Sequence, residues 1–313
     1  MDETEERLPA WMRETVRVRA SDFAKFTGHN TFVTPDEAAM LFWQRNSKLA
    51  AARGICVEPE TSEVERDIRQ SSSAVQTAVK QSLKLSQDAT ASTVARAVEE
   101  RYIKPMANAE TAAHMSGRLD AMPKELKAVQ TSIEREAQKM RGTRRETTSI
   151  NRLEAETGRA VVRRNSQCFQ KSLPIRRDDV NVVVVGMLDG RFADDDGIVE
   201  VKERRSRLFG RVVSYELVQL HCYMFLTGAE MATLVERFDD QHARHAVAFD
   251  SEFWAACLCK FSGFLDDRIP VPRAVATVVA NSDRRKSGRV RTWPARGVTL
   301  RSDGLRKKRV GSH

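Results

Sequence analysis

Long apolar runs are missing from this 313-residue sequence: no stretch approaches the ~20 consecutive apolar residues that a membrane-spanning helix needs. The opening residues, 1–13, are too acidic and too polar for a secretory signal, so the chain is expected inside the cell, in cytoplasm or nucleus. Cysteine is sparse and scattered. Cys56, Cys168, Cys222, Cys257 and Cys259 form no CxxC pair and no closely spaced trio, which argues against a disulfide framework, a zinc knuckle and an iron–sulfur cluster. No internal repeat is visible either.

What is present is enough apolar material, 41%, to bury a sizeable core. The net charge is +9, and it is concentrated. Residues 281–313 hold eleven Lys and Arg against two Asp, which leaves the rest of the chain close to neutral. Such a tail reads either as an arm that tracks phosphates or as a solubilising end. Its Arg306, Lys307, Lys308 and Arg309 also match the pattern of a nuclear localisation signal.

Along the chain the texture changes several times. Ser21 is placed as the cap of a first helix carrying Phe23, Ala24 and Phe26 and ending at Gly28. Thr34, Pro35, Asp36 and Glu37 supply a cap, a first-position proline and first-turn acids for a second. Residues 46–140, rich in Ala, Ser, Thr, Gln, Glu and Lys with apolar residues such as Val75, Val79 and Leu83 at helical spacing, predict two to four thin-striped helices. A helix over 143–156 is expected to end at Gly158. Residues 160–162 and 167–173 look extended, and the valine-rich run 180–188 predicts a buried strand. A turn at Asp194, Asp195, Asp196 and Gly197 then leads to a return strand over 198–202. A helix from about 213 to 227, strands over 231–238 and 245–249, and a helix over 251–265 capped by Ser251 complete the pattern. The expected organisation is an N-terminal helical part, 1–45, an α-helical insertion, 46–140, a mixed α/β core, 141–270, and a basic tail, 271–313.

One constellation carries chemistry. Glu200 and Lys202 are two apart on one strand and project from the same face, while Asp189 closes the valine-rich strand expected to pair with it. Two carboxylates so placed repel unless a cation binds, and oxygen donors suit Mg²⁺ or Mn²⁺. Such a cation lowers the pKa of bound water, and Lys202 is suited to orient the attacking hydroxide or to meet charge growing on a phosphate. On this pattern alone a salt-bridged surface hairpin is the competing reading.

The segments Gly142 to Glu146, Met187 to Gly190, Val199 to Lys202 and Gln219 to Gly228, with the opening Trp11 and the Arg19, Ala20, Ser21 segment, resemble the YqaJ type of viral and phage recombination exonucleases. That group contains lambda exonuclease and belongs to the PD-(D/E)XK nucleases. The resemblance covers residues 11–45 and 140–265. It implies a restriction-endonuclease-like fold, a mixed α/β sheet flanked by helices, and Mg²⁺-dependent hydrolysis of DNA, most often 5′ to 3′ from duplex ends in recombination, repair or replication processing. It implies Glu146, Asp189, Glu200 and the Val201 carbonyl as metal ligands, Lys202 as the catalytic lysine, and Gln219, one turn from Tyr223, as the residue that orients Lys202 or the nucleophile. Ser21 with Arg13 or Arg17 resembles residues that hold a terminal phosphate; Tyr223 is expected on DNA, and so are Arg204, Arg205, Arg207 and Arg211, which follow directly on the proposed catalytic strand. Relatives that form rings make a homo-oligomer an implied arrangement, and the insertion is open to a recombination or replication partner. The sequence departs from the family at Met187 and Leu188, where Ser-Pro or Thr-Pro is common, and at Glu203 and Arg204, where Cys-Pro is common. A catalytically idle DNA-binding or scaffold protein of the same fold is the alternative. Glu154 and Glu156 compete with Glu146, and His221 competes as a ligand; the three turn aspartates are expected to be solvated.

Overall fold

The computed structural model describes residues 14–269 apart from 176, 178 and 179. Trp11, Arg13 and the basic tail lie outside the described residues.

Glu14–Arg19, for which no strand was expected from the sequence, alternates buried Val16 and Val18 with outward Thr15, Arg17 and Arg19, and forms strand β1. Helix α1 (Ala20–Phe26) follows at once, with Arg19 in the cap position, so Ser21 stands in the first turn and does not cap. Helix α2 (Pro35–Arg45) begins with the expected reciprocal cap: Thr34 receives the Glu37 N–H while Glu37 receives the Thr34 N–H.

The helices α3 (Ser47–Ala52), α4 (Glu63–Gln70), α5 (Ser73–Ser82), α6 (Ala91–Val98), α7 (Lys104–Ala107) and α8 (Ala112–Asp120) lead into α9 (Gln130–Thr157). Val64, Ile68, Val94, Val98, Ile103, Met106, Leu126, Val129, Ile133 and Ala137 give α4 to α9 a core of their own. The last helix is twice the length expected. Gly142, read as lying ahead of a helix, sits inside α9 at a cost of about 1 kcal/mol, outweighed because both ends are packed. Ile133 and Ala137 enter the helical core, and Ile150 and Leu153 pack on the sheet with Val161, Phe192, Val199, Val201 and Val235. Gly158 ends the helix in the left-handed conformation, as expected.

The remaining strands are β2 (Val161–Val162), β3 (Cys168–Ser172), β4 (Val180–Met187), β5 (Gly190–Phe192), β6 (Ile198–Glu203), β7 (Met231–Phe238) and β8 (Gln241–Ala248). They form two sheets, ordered β1-β4-β3 and β2-β5-β6-β7-β8, each mixing parallel and antiparallel neighbours. The valine run is therefore not the hairpin partner of β6. β4 pairs in parallel with β1, and the chain crosses at Leu188 and Asp189 into the short β5, which is the strand antiparallel to β6. The buried β1 claims the β4 edge that sequence assigned to the hairpin. Helix α10 (Ser214–Thr227) and helix α11 (Ser251–Arg268, capped by Asp250 and not by Ser251) bury Leu220, Met224, Trp254 and Phe261 in the main core with α1 and β4. The result is a mixed α/β architecture with helices on its sheets. Among the described residues no helix is long and apolar enough to cross a membrane.

Candidate active site

The crossing between sheets is where the charged groups gather. Asp189 sits in the two-residue joint between β4 and β5, and two glycines make the joint tight. A Cβ at Gly186 would stand 2.7 Å from the Tyr223 ring, and one at Gly190 would stand 2.4 Å from Val161 Cγ1. Held there, Asp189 accepts the Val201 N–H on Oδ2 at 2.7 Å, which ties the joint to the middle of β6.

Along β6 the side chains alternate as a strand demands. Val199 and Val201 face α9, whereas Glu200 and Lys202 face α10. Lys202 Nζ lies 2.6 Å from Glu200 Oε1 and 3.1 Å from Gln219 Oε1, and Gln219 Nε2 donates to the same Glu200 oxygen at 2.9 Å. One turn further, the Tyr223 hydroxyl accepts from Gln219 Nε2 at 2.9 Å. Tyr223, expected on DNA, is instead buried against Gly186 and serves as the backstop of Gln219. Val201, expected to offer its carbonyl, has its N–H committed to Asp189.

Glu146 approaches from α9. Its half-buried carboxyl accepts from Asn165 Nδ2 at 2.9 Å and lies within electrostatic reach of Glu200, Asp189 and Lys202. The rival helix carboxylates are committed elsewhere: Glu154 to the Val161 N–H and Arg164, Glu156 to Arg152 and His242. His221 is buried away from the cluster. Its Nε2 accepts the Asp250 N–H, so Nδ1 carries the proton to the Leu217 carbonyl. In the acidic turn Asp194 and Asp195 pair with Arg159, and Asp195 also accepts the Gly197 N–H.

Three carboxylates against one ammonium leave the cluster short of positive charge. Burial, then the charges of Glu200 and Glu146, push the Asp189 carboxyl well above the usual range, and burial is likewise the first cause that raises Glu146. For Lys202, burial favours the neutral form, but the charge and hydrogen bond of Glu200, with the charges of Asp189 and Glu216, together more than offset this and hold the ammonium charged. The most telling atom is Glu200 Oε2, which is buried and has no hydrogen-bond partner. A buried anionic oxygen without a donor is costly, and a hard divalent cation is the group that would relieve it. Among the described residues no three or more His, Cys, Asp or Glu side chains are grouped closely enough to hold a metal ion by themselves. The donor set, all carboxylate oxygen and partly committed to Val201, Lys202, Gln219 and Asn165, still fits such an ion.

Around the cluster the expected DNA contacts divide. Arg204 is buried, not presented to solvent: its guanidinium donates to Glu236 at 2.6 Å and to both Glu216 oxygens at 2.5 and 2.9 Å, so no edge is left for a phosphate. Arg205 is exposed and paired with Glu134. Arg17 and Ser21 are exposed on β1 and α1, yet the parallel register puts Arg19 beside Val185, nearer the Asp189 joint than Arg17 beside Val183.

Asn165 was missed by sequence reasoning. It follows Arg163 and Arg164 in a loop where both Arg163 (φ 55°) and Asn165 (φ 44°) are left-handed, and its N–H bonds the Leu188 carbonyl next to Asp189. The available signal was an Asn in a short polar link between strands, the residue type that tolerates this conformation.

No protein-family model matches the chain, and no curated protein matches it. Among solved structures it is similar to an alkaline exonuclease from Laribacter hongkongensis, with 19% identity and a TM-score of 0.35 over 60% of this chain and 100% of that one. The same exonuclease in complex with dAMP gives 17% and 0.35 over the same shares. A phage related exonuclease from Haemophilus somnus gives 10% and 0.32 over 46% of this chain and 73% of the other.

Proposed function

We propose that this chain is a divalent-metal-dependent deoxyribonuclease, acting as a 5′ to 3′ exonuclease on duplex ends in recombination, repair or replication processing. The observation that carries the reading is the unpartnered, buried Glu200 Oε2 inside a group of three carboxylates and one lysine. Asp189, Glu200 and Glu146 would hold Mg²⁺ or Mn²⁺, with the Val201 carbonyl as a further donor. When bound, that ion supplies polarisation of the phosphate and a more acidic water.

The side chains then have separate tasks. Lys202, kept charged by Glu200, faces the negative charge that grows on the phosphoryl oxygens as the water oxygen bonds to phosphorus and one P–O ester bond breaks. Gln219 fixes Lys202 through its carbonyl and Glu200 through its amide, so neither can turn away. Asn165 holds Glu146 toward the same point. Arg19 and Ser21, exposed at the same sheet end, are placed for a terminal phosphate. Residues 46–140 are read as a brace for α9.

The test is degradation of linear duplex DNA with Mg²⁺, against EDTA and against Lys202→Ala, using 5′- and 3′-labelled strands. We expect release from the 5′ end, loss of cutting in EDTA, and a fall of roughly 10²- to 10³-fold or more in the variant. Cutting that survives both controls overturns the mechanism, and release from the 3′ label first overturns the polarity.

A further inference from the structure

Next to the cluster the surface carries aromatic rings that the hydrolysis does not use. Tyr215, Gln219 and Tyr223 recur every four residues along α10 and so share one face. Tyr223 lies deepest, Gln219 touches Lys202, and Tyr215 is the outermost, within electrostatic reach of Glu216, Arg204 and Lys202. Against Tyr215, edge-on with ring centres 6.3 Å apart, stands Phe32, whose exposure of 82% is the highest of any large apolar residue described. Its loop does not fold it inward. The Phe32 N–H is pinned to Asn30 Oδ1 at 3.1 Å, the Val33 N–H to the Asn30 carbonyl at 3.3 Å, and the Asn30 N–H to the Ala24 carbonyl at 3.0 Å.

A second ring is held open on the loop between β6 and α10, the helix that carries Tyr215. Phe209 has one face under the Arg204 guanidinium, 4.1 Å from the ring centre, and remains 43% exposed. Glu236 fixes its backbone, accepting the Phe209 N–H at 3.3 Å and the Gly210 N–H at 2.9 Å. On the same loop Arg205, Arg207 and Arg211 are exposed, and Arg207 and Arg211 have no acidic partner among the described residues. Fixed rings interleaved with exposed arginines match the two faces of a single nucleic-acid strand: flat bases that stack and phosphates that attract.

We propose that Phe32 and Phe209 form a stacking ledge that receives unpaired bases of single-stranded DNA next to the cut phosphate, with Arg205, Arg207 and Arg211 along its backbone. The inference deepens the nuclease reading and rests on it for the position of the cut. The ledge predicts that the protein grips a frayed or single-stranded segment beside the cut, in preference to a fully paired one.

Binding in EDTA tests this without cutting. Fluorescence anisotropy of the full chain with labelled oligothymidine, an abasic oligonucleotide of equal length, blunt duplex and oligouridine separates bases from charge. Wild type should prefer oligothymidine over the abasic strand and over blunt duplex. Phe32→Ala and Phe209→Ala should each weaken oligothymidine roughly tenfold while leaving abasic binding unchanged, and Phe32→Trp should restore it. Equal binding of thymidine and abasic strands by wild type, or an equal loss on both in the variants, overturns the ledge; oligouridine bound as tightly overturns the DNA assignment. Base-dependent binding without any Mg²⁺-stimulated cutting would overturn the nuclease reading and leave the ledge, whereas cutting with base-independent binding would do the reverse.

Discussion

Two clusters of charge lie two residues apart, around Lys202 on β6 and around Arg204 just past its end, and they are built on opposite terms. Around Arg204, one guanidinium meets Glu216 and Glu236, and Glu236 is further satisfied by two backbone N–H groups and His245. Every oxygen there has a donor. Around Lys202, one ammonium faces Asp189, Glu200 and Glu146, one glutamate oxygen is left without any donor, and burial followed by the repulsion of Glu200 and Glu146 lifts Asp189. The first cluster is closed and holds the sheet to α10; the second is complete only with something added. Burial of charge is therefore not itself a sign of chemistry here. The imbalance of charge is.

The contrast can be broken most forcefully at Arg204. Arg204→Ala removes the shared cation of Glu216 and Glu236 and leaves buried Glu216 without its partner, and unfolding in urea should show a loss of about 3–5 kcal/mol; an unchanged midpoint would mean that the closed cluster is not structural. On the open side, Mg²⁺ or Mn²⁺ should raise the melting temperature of the wild type, equivalent to about 2.7 kcal/mol at a hundredfold excess over its dissociation constant. The Asp189→Asn, Glu200→Gln double variant should start no less stable than the wild type and gain nothing from the ion, and an equal gain in both would place the metal elsewhere. The smallest effect is expected from Asn165→Ala, which frees Glu146. Turnover should fall about tenfold, with the higher metal concentration needed for half-maximal thermal shift as the second readout; a change in neither would remove Asn165 from the site.

The same contrast explains what could be read from the sequence. Glu200 and Lys202 are related by the two-residue period of a strand, and Gln219 and Tyr223 by one turn of a helix, so their faces follow from local geometry. Pairing across long separations does not. β1 lies beside β4 only because Val16 and Val18 meet Val182 and Val184 in the core, and that contact moved the hairpin from the valine run to β5. Arg204 looked like a DNA contact because its two acids come from α10 and β7, remote in the chain. Asn165 joins Glu146 through a loop whose path depends on the Leu188 carbonyl.

Helix α9, 28 residues and thus about 42 Å long, has a further consequence. Glu146 rides on the same rigid rod whose front end is embedded in the core of α4 to α8, and Arg141 and Arg145, one turn apart on that rod, clamp Glu203 at the end of β6. The helical region is thus not a removable accessory. A shortened chain lacking it would have to invent a new start for α9 just upstream of a buried arginine, and any ligand pushing on the far end of the rod would tilt the carboxylate at its middle.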